Sequence, residues 1–394
     1  MTLIASTLNH KMPFLISDLL WSSEYSTEHV RFPTNIFDPS PYLPSGQEDK
    51  PIKLGQKMYI IKDKVCIVFA GLSQEILFFL TLIKDAFKEK YEITKEDIHK
   101  FLQMYKLNRN FKDSAFFIIH IRNSTANSIE VTQFYSPSET NIVDPISFNV
   151  EDESWNIMYD DIYEQVFACG NGAKGFLNIV RQAGKLHTRF KQGDFRRAVQ
   201  VNTILISKLL TLERISLYTL RENWGGGFET AYYNGEKFEK IDKIAYVISH
   251  GYFDNLGNIG LPVPRLIMYY KYLRDILYIV ALEINQYTLQ ETERFSTFTS
   301  LSGGFNTTLY EVEGIDLDNI ENYELPSDFS FFTDKISMGY SLITNKDVIF
   351  NPAFFNFGPA LTITFQQGRS IEISILKDLS NKIRDTSKKI FPNL

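Results

Sequence analysis

Thr2, Asp18 and Lys57 are residue types that could do chemistry together. Threonine at position 2 is small enough for the initiator methionine to be trimmed ahead of it. Trimming would leave a free α-amine beside the hydroxyl, so base and nucleophile would share one residue. A lysine held beside that hydroxyl favours its ionised form and helps to move its proton. An aspartate beside the lysine keeps it charged and oriented. Gly71, read as the last residue of a strand before a helix, can turn a free backbone N–H toward a developing oxyanion. Singly, each residue has a plainer reading: a solvated turn aspartate, an edge lysine, a steric glycine. Their joint spacing carries the chemical reading.

The elements that must position these groups follow from periodicity and punctuation. Residues 2–20 read as a hairpin of two apolar strands, with Thr2 at the start of one and Asp18 at the end of the other. Residues 21–52 hold Pro33, Pro39, Pro41, Pro44 and Pro51 and read as a long surface loop. Residues 56–70 form a second strand pair turning at Lys62-Asp63-Lys64, and Lys57 begins it. A helix then runs from Ser73, its expected N-cap, to about Tyr91. Thr94-Lys95-Glu96-Asp97 resembles a capping box before a helix through Tyr105. A hairpin over 115–122 and 129–135 follows, then a strand over 165–169 entering Gly170-Asn171-Gly172. Helices are expected over 173–183 and 195–218, and a last hairpin over 228–233 and 238–247. Strands and helices in this order fit two sheets covered by helices on both sides. Beyond a boundary near Tyr252–Gly260 the texture changes. A helix is expected over 262–286, strands over 337–343, 348–350 and 360–365, and a closing helix near 372–389.

Composition excludes several function classes. A formal charge of -6 without a basic block gives nucleic acid no electrostatic hold. His10, His29, His99, His120, His187 and His250 show no ligand spacing, so no metal and no cofactor is expected. Within the most apolar long window, Leu266 to Ile284, lie Lys271, Arg274, Asp275 and Glu283, which argues against a membrane span. The start lacks the charge pattern of a signal peptide. Cys66 and Cys169 sit in apolar surroundings and read as buried reduced thiols, so a cytoplasmic location is expected.

With these residues in place, the chain resembles the N-terminal nucleophile hydrolases, in particular proteasome β subunits and the bacterial HslV-type threonine peptidase. From Thr2 to Asp18, and from Lys57 to Ala70-Gly71, the spacings match the family without a gap. Gly170-Asn171-Gly172-Ala173 is similar to the family's Gly-Ser-Gly-Ser turn, and Glu222-Asn223-Trp224-Gly225-Gly226-Gly227 to its Asp-x-x-Ser-Gly-Gly element. The resemblance implies an α+β class: a four-layer αββα sandwich over residues 1–250, with residues 251–394 as an additional C-terminal α+β domain. It implies a threonine-type amide hydrolase acting on peptide or protein substrates. Thr2 would be the nucleophile, Lys57 and Asp18 its electrostatic partners and Gly71 the oxyanion donor. Asn171, Glu222 and Gly225 would support the terminal amine, and Trp21, Phe69 and Ser73 would border the substrate pocket. Self-association into rings is also implied, through apolar residues such as Ile76, Leu77, Phe78, Phe79 and Phe176. Three positions depart from the pattern: Asn171 replaces a serine, Glu222 an aspartate and Gly225 a second serine, and glycine supplies no side chain. The loop between Asp18 and Lys57 is also longer than in the family. The competing expectation is a non-catalytic assembly or binding module on the same scaffold.

Overall fold

The structure, a computed structural model, describes residues 2–9, 12–23, 31–34, 50–108, 114–125, 128–136, 155–158, 165–184, 195–216, 219, 222, 224–251, 263–273, 275–284, 288–291, 298–302, 305–314, 330–343, 348–366 and 370–376. Along the chain, β1 (Ile4–Asn9) and β2 (Met12–Asp18) form the expected hairpin, and β3 (Leu20–Ser23) pairs with β4 (Lys50–Leu54). β5 (Met58–Ile61) and β6 (Val65–Gly71) lead to α1 (Ser73–Phe87) and α2 (Lys95–Asn108). β7 (Ser114–Thr125) pairs with β8 (Ser128–Ser136), and β9 (Trp155–Met158) with β10 (Gln165–Cys169). α3 (Ala173–Gly184) and α4 (Phe195–Ser216) precede β11 (Phe228–Tyr233), β12 (Phe238–Lys240) and β13 (Ile244–Gly251). The remaining strands are β14 (Val263–Leu273), β15 (Ile276–Ile284), β16 (Thr288–Glu291), β17 (Phe298–Ser302), β18 (Phe305–Val312), β19 (Ser330–Ile343), β20 (Val348–Gln366) and β21 (Ser370–Leu376).

The molecule is a mixed α+β protein whose sheets are largely antiparallel. One sheet has the order β12-β11-β2-β1-β10-β9, a second β5-β6-β7-β8, and a third β16-β17-β21-β20-β19-β13-β14-β15-β18. Strand alternation sorts side chains into separate cores. Ile4, Leu15 and Phe167 of the first sheet meet Cys66, Val68 and Phe117 of the second in one cluster. Ile67, Phe69 and Phe116 face the other way and pack against Ile76, Phe79 and Phe101 of α1 and α2. Leu3, Phe14, Ile16 and Val166 pack against α3 and α4.

Three expectations for the second half fail. Where a helix was expected over 262–286, the described residues form the hairpin of β14 and β15, with Asp275 in its turn. A continuous apolar run buried on both faces carries no period that separates helix from strand, and the β-branched and aromatic residues here decide for strand. Residues 370–376 form β21 where the closing helix was expected, and the rest of that expectation lies outside the described residues. The last hairpin stops at Lys240: β13 leaves β11 and pairs with β14 and, in parallel, with β19.

α4 lies between two sheets. Its buried residues Ile204, Leu205, Leu209 and Leu210 share one cluster with Phe14 and Phe228 of the first sheet and Tyr246, Met268 and Ile279 of the third. Small residues allow close approach on the β19 side. A Cβ at Gly339 would lie 2.1 Å from the Thr211 hydroxyl, and Ser337 Oγ donates to the Thr203 carbonyl at 3.2 Å. Among the described residues no helix is long and apolar enough to cross a membrane.

Candidate active site

β1 and β2 return to the same end of their hairpin, which brings Thr2 to Asp18, and the entry to β5 delivers Lys57 to both. The Thr2 hydroxyl donates to Asp18 Oδ1. Lys57 Nζ donates to Thr2 Oγ1, to Asp18 Oδ1 at 2.6 Å and to the Leu20 carbonyl. Three acceptors match the three N–H bonds of an ammonium group. All three side chains are buried, with Thr2 3%, Asp18 0% and Lys57 2% exposed. Burial lowers the Lys57 pKa, while the charges of Asp18 and Glu229 oppose that shift. The Asp18 carboxylate is held by the backbone as well: Leu3 N–H donates to Oδ1 at 3.1 Å and Gly225 N–H to Oδ2 at 2.9 Å.

Glycines let the surrounding turns approach. At Gly170, with φ +92, a Cβ would lie 1.9 Å from the Thr2 carbonyl oxygen. Next to it, Trp224 packs over Gly172, and Asn171 Nδ2 donates to the Glu222 carbonyl at 3.4 Å. The two expected supporting segments therefore meet beside Thr2. The Glu222 side chain is nevertheless exposed. Gly225 does not leave an empty place: a Cβ there would lie 2.0 Å from Glu213 Oε2 and 3.0 Å from Thr219 Oγ1.

Glu213 is fully buried at the end of α4, where it accepts from the Thr34 hydroxyl, from Thr219 Oγ1 at 3.0 Å and from Gly226 N–H at 3.0 Å. Burial pushes its carboxyl up to about 7. Sequence reading did not single it out, because a lone glutamate on an apolar helix gives no spacing signal. Glu229 was missed because a single glutamate near the start of a strand, β11, gives no spacing signal either. It accepts from Lys57 N–H, from Ser17 Oγ at 3.1 Å and from Lys240 Nζ at 3.0 Å.

Gly71 closes β6 with φ +116, directly before α1. Ser73 is the first helical residue rather than the cap; Leu72 occupies the cap position without a side-chain hydrogen bond. A cavity of about 230 Å³ lies beside the cluster, lined by Trp21, Gly55, Gln56, Ser73 and Glu313 among others. The Trp21 ring lies 5.5 Å from Lys57 Nζ, so this wall reaches the lysine. Phe69, expected at the pocket, is instead buried against Phe79 under α1, because its strand position faces the helices. His120 is buried with its pKa lowered by desolvation, and among the described residues no group of His, Cys, Asp or Glu could hold a metal ion.

No family model matches the chain, and no curated protein matches it. Among solved structures, the crystal structure of eukaryotic HslV from Trypanosoma brucei aligns with 58% of this chain and 98% of its own, at 10% identity and a TM-score of 0.32. That likeness is too distant to carry a function, so the functional reading rests on the residues themselves.

Proposed function

We propose that this chain is a threonine-type amide hydrolase acting on peptides, built on a four-layer αββα sandwich of the N-terminal nucleophile class. The observation that carries the reading is the buried hydrogen-bonded cluster of Thr2, Asp18 and Lys57. Once Met1 is removed, the Thr2 α-amine lies vicinal to its own hydroxyl. Thr2 Oγ1 attacks the substrate carbonyl carbon while its proton passes to that amine, directly or through a water. Lys57 stabilises the charge that builds on Oγ1, and Asp18 holds the ammonium in place. Gly71 N–H receives the oxyanion. Collapse of the tetrahedral species transfers the amine proton to the leaving nitrogen and leaves an acyl ester on Thr2. Water then hydrolyses that ester and restores the hydroxyl.

The cavity walled by Trp21 and Ser73 is assigned to the side chain preceding the cleaved bond, and its indole wall restricts the residue that fits. Hydrolysis of fluorogenic peptides tests the reading. The wild-type chain should cleave, Thr2→Ser should retain a fraction because hydroxyl and amine both remain, and Thr2→Ala should be inactive. Equal turnover by Thr2→Ala would refute it.

A further inference from the structure

The nine-stranded sheet has no role in the chemistry above, yet it reaches the residue next to Lys57. Gln56 is 2% exposed, and each of its side-chain polar atoms has a partner. Its Nε2 donates to the Asp275 carbonyl at 2.6 Å and to the Val312 carbonyl at 2.9 Å, while its backbone N–H donates to the Glu313 carbonyl at 2.9 Å. All three acceptors belong to the β14–β15 turn or to the end of β18. On the other side, Gln56 Oε1 accepts from Lys240 Nζ at 2.6 Å, and the same ammonium pairs with Glu229 Oε2 at 3.0 Å. The other oxygen of Glu229 accepts from Lys57 N–H. The network thus closes a ring from the third sheet through Gln56, Lys240 and Glu229 to the Lys57 backbone.

We propose that Gln56 is a positioning residue through which the C-terminal sheet sets the Lys57 ammonium, making residues 251–394 part of the working site; this rests on the hydrolase reading. Two main-chain carbonyls, one in the β14–β15 turn and one at the end of β18, need donors, and an amide side chain supplies both from one nitrogen. Its oxygen then accepts a hydrogen bond from Lys240, which pairs with one oxygen of Glu229, and the other oxygen, also held by Ser17, fixes the start of β5. Lys240 is 19% exposed, but Gln56 and Glu229 are buried, so a shift at either leaves a desolvated polar group unpaired, and the partnered network favours one geometry. Lys57 must meet Thr2 and Asp18 to within a fraction of an ångström, so an anchor at the preceding residue controls its aim.

Two full-length variants test this. Gln56→Met keeps the length and removes every polar partner, and Lys240→Met cuts the link between Gln56 and Glu229. The readout is covalent labelling of Thr2 by a peptidyl epoxyketone, resolved into binding and rate of bond formation, with a melting curve for each variant. Both variants should slow bond formation by about tenfold or more, with binding changed less than about twofold. Wild-type rates in both would overturn the proposal, and if Gln56→Met does not fold, Lys240→Met decides alone. If the wild-type chain itself is not labelled, the hydrolase reading fails. Hydrogen exchange at the Lys57 amide then judges the coupling separately: lost protection in a folded variant supports it, and unchanged protection overturns it.

Discussion

If Thr2 is the nucleophile, Lys57 stands where its hydroxyl would develop charge, and burial would strengthen the effect of an ammonium there. In low dielectric a lost charge is not replaced by solvent. Lys57→Ala should therefore cut peptide turnover by at least about a hundredfold, with an unchanged circular dichroism spectrum. Wild-type turnover in that variant would mean that the lysine is structural only. Glu213 makes a prediction of opposite character. Burial pushes its carboxyl up to about 7, above the ordinary glutamate value of 4.5, so the folded chain binds the proton more tightly than the unfolded one. The stabilisation from this group is complete below about pH 4.5 and is lost as pH rises through 7, by about 3 kcal/mol at most. Glu213→Gln removes the titration, so the melting temperature of this variant relative to wild type should rise between pH 5 and pH 8. A constant difference would show that Glu213 does not titrate there.

Turns and strand ends bring these residues together, and the glycines mark where they meet. Gly170→Ala adds a Cβ against the Thr2 carbonyl at a φ of +92. It should destabilise the chain by more than about 2 kcal/mol, seen as a lowered denaturant midpoint, and Thr2 should lose its labelling by electrophiles. Gly339→Ala, whose added Cβ would meet Thr211 and Ser207 rather than Thr2, should cost about 1–3 kcal/mol by overpacking β19 against α4 and leave labelling intact. Much of the first half was legible in the sequence. The hairpin over 2–20, the Lys62-Asp63-Lys64 turn and the Thr94 cap are local signals, and Thr94 and Asp97 do exchange hydrogen bonds. The triad was legible as spacing because strand ends fix where Thr2, Asp18 and Lys57 fall. Glu213, Glu229 and Gln56 were not, since each also relies on a distant partner, 179, 172 and 219 residues away, that no local pattern announces. β14 and β15 were misread because a run buried on both faces loses its period. Phe69 was misplaced by one face, because the resemblance pointed to its strand but not to the side it turns to.

At the scale of the whole molecule, α4 joins the two halves. One cluster runs from Leu3 and Phe14 through Leu205 and Leu209 to Tyr246 and Ile279, without a gap at residue 250. Calorimetry should therefore show one cooperative unfolding transition, and two resolved transitions would mean that the halves melt independently. Of the apolar residues expected to support self-association, Ile76, Phe79 and Phe176 are buried in cores, whereas Leu77 and Phe78 are 43% and 37% exposed on α1. Light scattering should find an oligomer if that face is used, and a monomer would remove the assembly proposal without touching the site. The most direct test of the central claim is intact mass spectrometry of the native protein before and after a peptidyl epoxyketone, a probe that needs a hydroxyl and a vicinal amine. The expected result is a chain without Met1 that gains one probe mass located on Thr2, with no gain in Thr2→Ala. A native chain that fully retains Met1 and gains no mass would contradict it.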